Sequence, residues 1–222
     1  MDWYAILVFV HILGLVFWLG TDIGVFVIGK FAQSPEYSVE QRLLLLKILV
    51  IVDKFPRFSM IFTLATGFQL GLMSKLLVVS QTVEWVVWAI LLLWLIVVTI
   101  RLTREEHEVP GWVMPAEKTI GTLILLLLLA AGITSVIGDG PLLTTWLALK
   151  VLFFAGIFIA AILLEKAFGP ALVGFTTLAT EGSSEQVEKN IRSGMDKTYF
   201  WVICIYIFVF LAALFGVLKP AF

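Results

Sequence analysis

His11, Trp18 and Asp22 are spaced by seven and four residues. At 100° per residue they fall within about 40° of one another, on one face of a helix. They sit in an apolar run, residues 3–29, that is long enough to cross a bilayer. An imidazole and a carboxylate are costly in hydrocarbon, so this stripe must face protein. Gly14 and Gly20 flank it and would admit a close neighbour. A neutral imidazole is a common donor to haem iron and other metals, so His11 is a candidate axial ligand. The plainer role for a membrane histidine is a hydrogen-bonded packing residue.

Two further groups belong with the stripe. His11 lies eight residues in from Trp3, and Lys150 lies eight residues in from Leu142. At 1.5 Å per residue both are roughly 12 Å deep. Lys150 beside His11 is thus a candidate partner for a cofactor carboxylate. Asp22, at the other end of the run, faces "DKFPRF". There Arg57 or Lys54 is the expected ion-pair partner, and Asp53 and Arg57 stand at i,i+4 spacing. These four charges read first as a pin between two helices. Trp18, with Trp88 and Trp94, lies deep enough to wall a flat cofactor or simply to pack.

The elements that hold these residues follow from composition. The chain has 222 residues, 61% hydrophobic and 14% charged, with a mean hydropathy of +1.06. Soluble domains are nearer half apolar and a quarter charged. The reading is an all-α polytopic bundle, a single integral membrane domain over 1–222. Six spans are expected, at 3–29, 57–79, 83–103, 118–138, 142–165 and 197–218. The first run has no basic leader and reads as a retained helix. The runs are continuous rather than alternating, which excludes barrel strands.

Helical connections are expected at 38–55 and 183–195. Each starts from a Ser-x-Glu-Gln signal and ends in an Asp-Lys pair, a weak hairpin repeat. Pro56 should kink or end the first of them. Connections after odd spans carry basic residues that include Lys30, Arg42, Arg101, Arg104, Lys118, Lys166, Lys189, Arg192 and Lys197, against Lys75 and Lys219 opposite. The positive-inside rule then puts both termini outside. The expected location is a plasma membrane, the inner membrane of a bacterium, with the termini on the periplasmic side.

Other chemistry is thinly represented. The lone Cys204 excludes an internal disulfide and a cysteine cluster. His107, in "EEHE", lies across the bilayer from His11 in this topology, which rules out a bis-histidine haem within one chain. The five methionines are scattered, unlike copper-handling clusters. Walker, HExxH and GxSxG patterns are missing. A net charge of −1 with no basic cluster argues against a nucleic-acid partner.

Trp3, His11, Ile12, Trp18 and Gly20 together resemble the opening helix of the HemJ-type protoporphyrinogen oxidases and the related copper-resistance D (CopD-like) membrane proteins. "DKFPRFSMIFTLATGFQLGL", "WLALKVLFFAGIF" and "GVLKPAF" resemble further segments of that group, and the resemblance covers about half of the chain. It implies a haem b held by His11, with Lys150 and Arg57 at the family's basic positions. Two features depart from the pattern. The family commonly has four helices, and the extra hairpin here spans about 83–137. A histidine often found later on the lysine helix is replaced within "IAAILLEK".

Three roles fit these residues. The first is a haem-binding redox protein with a place in electron transport. The second is a non-catalytic subunit or assembly factor of a larger membrane complex. The third is a small-molecule or ion transporter using Asp22, Asp53, Arg57 and Lys150. The partners to expect are the bilayer, another membrane protein or a second copy. No complete catalytic set is present to make the chain an enzyme on sequence alone.

Overall fold

The computed structural model describes residues 2–104 and 108–221. Among them are seven helices: α1 (Trp3–Ala32), α2 (Val39–Val52), α3 (Lys54–Met73), α4 (Gln81–Thr103), α5 (Val113–Ile137), α6 (Thr145–Glu181) and α7 (Glu185–Leu218). Strand pairing among these residues is limited to an isolated bridge. Five helices, α1 and α4 to α7, are long and apolar enough to cross a membrane. The sixth expected span is α3. Its 20 residues reach about 30 Å at 1.5 Å each. Lys54, Arg57, Thr63, Thr66 and Gln69 make it the polar helix of the set.

Asp2 starts α1 by accepting from the Tyr4 and Ala5 amides. Ser38 starts α2 with a capping box, in which its hydroxyl accepts from the Gln41 amide and the Gln41 side chain accepts from its own amide. The chain breaks at Asp53, between Val52 and Lys54, and Pro56 explains the break. In a continuous helix its ring would meet the Val52 carbonyl and offer no proton to it. In the first turn of a new helix that proton is not needed.

Several ends differ from the expected ones. Starting at Thr145 rather than 142, the fifth span runs through Pro170 to Glu181 as the 37-residue α6. Residues 183–195 do not form a separate connection. From Glu185 on they supply the first turns of the 34-residue α7, whose Ser184 cap leads into an unbroken helical sequence. The two "Ser-x-Glu-Gln" segments thus differ in form, one a free-standing helix and the other part of a span. The second span stops at Met73 rather than 79. Lys75 turns left-handed at φ 58°, and the apolar residues beyond it are extended. There the Val78 amide donates to the Pro141 carbonyl and the Leu143 amide to the Leu76 carbonyl, both at 2.9 Å. This latch ties the α3–α4 connection to the α5–α6 connection. We call that end of the bundle the latch end and the opposite one the α2 end.

Lipid offers no hydrophobic drive between helices, so close packing must hold them together. The α6–α7 pair shows how. Gly174 and Gly194 let the two backbones touch: a Cβ on Gly194 would collide with the Ala171 backbone, and one on Gly174 would lie 3.0 Å from the Ile191 nitrogen. At the α2 end this pair runs past the shorter α4 and α5. It packs with α2 and the end of α1 around Ala32, Phe175, Leu178, Val187 and Ile191. Arg42 ties that extension together from α2. Only 1% exposed, it donates to the Ala32 carbonyl at 2.9 Å and to both Glu188 oxygens at 2.7 and 3.0 Å.

Candidate functional site

α1 lies antiparallel to α3, and its polar stripe meets α3, α6 and α7 at two levels. The first level holds His11, nearer the latch end. Its Nδ1 lies 2.9 Å from Thr66 Oγ1. The Thr66 hydroxyl donates to the Phe62 carbonyl at 2.8 Å, as threonines in helices commonly do. Its one proton is therefore committed, and its oxygen accepts from His11 Nδ1–H. The Thr63 carbonyl also acts on the ring and can only accept. With the Thr66 proton so placed, the compatible tautomer carries its proton on Nδ1 and its lone pair on Nε2.

Glycines shape this level. A Cβ on Gly67 would lie 3.1 Å from the His11 Cε1 and 4.0 Å from Nε2, so the ring rests on bare α3 backbone. Gly14 is buried against Phe62 and Thr63. Gly20, expected to help in the same way, has no atom near its missing side chain and faces outward. Lys150 reaches this level from α6. Its Nζ would lie 2.6 Å from a Cβ on Gly216 of α7, and its charge acts on His11. The structure thus brings His11 and Lys150 to one level, with Thr66, Gly67 and Gly216 as neighbours.

Trp18 stands between the levels. It is 5% exposed and packs against Ile157, Ala160, Ile205 and Val209, edge-on to Phe154 at 5.7 Å. Trp94 packs against Phe158 and Trp88 against Phe68. Trp18 lies on α1 and Trp88 and Trp94 on α4, and each ring packs against a different phenylalanine.

The second level, nearer the α2 end, holds the charges. Arg57 Nε donates to Asp53 at 2.7 Å. Asp22 makes no direct ion pair among the described residues, and it feels both Arg57 and Asp53 electrostatically. Facing it is Tyr206, whose phenol hydroxyl interacts with the Asp22 carboxylate. Lys54 lies on α3 without an ion pair among the described residues. The layer extends outward through Arg101 and Glu117 at 2.7 Å and Lys118 and Glu165 at 3.7 Å.

No group of three or more His, Cys, Asp or Glu side chains able to hold a metal occurs among the described residues. His107 lies outside them. A cavity of about 460 Å³ between α1, α3 and α4 is bounded by Gly14, Phe58, Phe62, Trp88 and Leu92 among others, and His11 does not line it. Compared with known proteins, the chain matches no family model, no curated protein and no solved structure.

Proposed function

We propose that this chain is an integral membrane protein that holds a haem b through His11 Nε2. The observation that carries the reading is the Thr66 hydroxyl on Nδ1. Ligating histidines almost always give their second nitrogen to such a partner, which fixes the ring and leaves the other lone pair outward. A single imidazole, a committed tautomer and a cation at the same level suit one axial ligand and one propionate partner, His11 and Lys150. Bound there, haem would supply one-electron chemistry. The chain's own residues hold the ring (Thr66, Gly67), place the cation (Lys150, Gly216) and seal the level below with Trp18. In this reading α3 is the sixth span, and the α2 end lies in the cytoplasm with both termini outside. The HemJ-type and copper-resistance D resemblance belongs to the same proposal.

The test is an absorption spectrum of protein purified from haem-supplied cells, oxidised and then dithionite-reduced. A Soret band that shifts on reduction and is lost in His11→Ala is the expected result. A colourless wild type overturns the reading.

A second reading has its own observation. His11 does not line the cavity between α1, α3 and α4, and no group of three or more His, Cys, Asp or Glu side chains able to hold a metal occurs among the described residues, so a partner subunit could complete the site or dispense with it. As a non-catalytic subunit or assembly factor, the chain would co-purify stably with a larger complex in mild detergent. A lone monomer would count against it.

A further inference from the structure

The cavity between α1, α3 and α4 plays no part in the His11 site. Its volume, about 460 Å³, falls in the range of ligand pockets, ~300–1,000 Å³. Ser59 is the one polar side chain among its lining residues. It opens sideways, since Phe17, Phe62 and Leu92 on its rim are 54%, 47% and 59% exposed. A transmembrane helix, ~10 Å across, is too thick to enter it. None of its lining residues is a histidine, cysteine or methionine, so it has no haem ligand. A flexible chain of methylenes is the occupant whose shape and polarity match.

Charge selects among such chains. Lys54 precedes Phe58 by one helical turn on α3, within about 40° of the same face. It therefore stands at the mouth of the groove on the α2 side, and the described residues give it no ion pair. A lysine at a span end extends its ammonium to the headgroup level, where basic pockets between helices take anionic headgroups. We propose that the groove is a binding site for an anionic phospholipid, with one acyl chain against Phe58, Phe62 and Trp88 and the phosphate on Lys54. This site stands whether or not His11 holds a haem.

Trp88 reports directly on the occupant. Wild type and Trp88→Phe are reconstituted in phosphatidylcholine vesicles. These are doped at equal low mole fraction with brominated phosphatidylglycerol or brominated phosphatidylcholine. The difference between the two proteins isolates Trp88 fluorescence. The anionic probe should quench Trp88 at least threefold more than the zwitterionic one. Lys54→Gln should erase that preference, Lys54→Arg should keep it, and Ala65→Phe, which fills the groove, should lower quenching by both probes. Equal quenching by the two lipids in wild type means ordinary lipid solvation and overturns the proposal. So does a preference that survives Lys54→Gln, or no quenching by either lipid.

Discussion

Thr66 decides what His11 can do, and nothing in the spacing of His11, Trp18 and Asp22 announces it. The histidine itself stood out because imidazole in apolar text is rare and costly. A threonine in a helix is ordinary, and its partner 55 residues away is set by the register of α1 on α3. Gly67 and Gly216 were hidden for the same reason: a glycine shows its use only when the neighbour across it is known. Lys150 was legible because depth can be counted from a span end. The same counting brought Asp22 to the right level but not to its partner, since Arg57 bonds Asp53 at the start of its own helix. The His11–Thr66 bond gives a testable energy. Thr66→Val should lower stability by about 1 kcal/mol, the low end for an orphaned buried donor because the Thr63 carbonyl remains. In a double-mutant cycle with His11→Ala, thermal unfolding in detergent should show a coupling of at least ~0.5 kcal/mol. Additive losses would mean the bond carries no weight.

At the scale of elements, the apolar runs were legible because twenty or so residues without charge permit little else in a bilayer. Their ends were not, because helices continue past the membrane wherever a neighbour covers them. Residues 166–181 and 185–196 extend α6 and α7 on the strength of Gly174, Gly194 and Ala171, which are small enough for backbone contact. Gly194→Val should therefore cost about 1–3 kcal/mol or more and be visible as a lower melting temperature, whereas the same change at the open Gly169 should show no such wedge. A melting temperature unchanged by Gly194→Val would remove the close-crossing argument.

The Arg42–Glu188 pair is the other tie in this extension. Hydrogen bonds from Arg42 hold the Glu188 carboxyl below its ordinary value of 4.5. A depressed carboxylate stabilises the fold above its unfolded value, and that contribution disappears as pH falls through the folded one. The wild type should thus lose its advantage over Glu188→Gln as pH drops below about 4.5, followed by unfolding of the isolated protein in detergent. A constant difference across that range would sink the assignment. Near neutral pH, Glu188→Ala leaves a buried guanidinium without an anion and should cost about 3 kcal/mol.

For the molecule as a whole, the charge bias gives an orientation that labelling can decide. With Cys204→Ala as background, Ser183→Cys at the α6–α7 turn should react with an impermeant maleimide only after the membrane that holds the protein is opened. Asp139→Cys, beside the latch, should react while that membrane is intact. The reverse pattern would invert the bundle. The latch also has a consequence in time. Its two halves, residues 76–78 and 141–143, leave the ribosome with the whole α4–α5 hairpin between them. In the proposed orientation, when the first half reaches the far side of the membrane its partner has not yet been made. The backbone groups of Leu76 and Val78 must wait, hydrated, until the next hairpin has crossed. Closing the latch therefore marks the moment at which both hairpins have been translocated. A chain halted after α5 would lack that signal of completion, and quality-control proteases would find the 74–80 loop open.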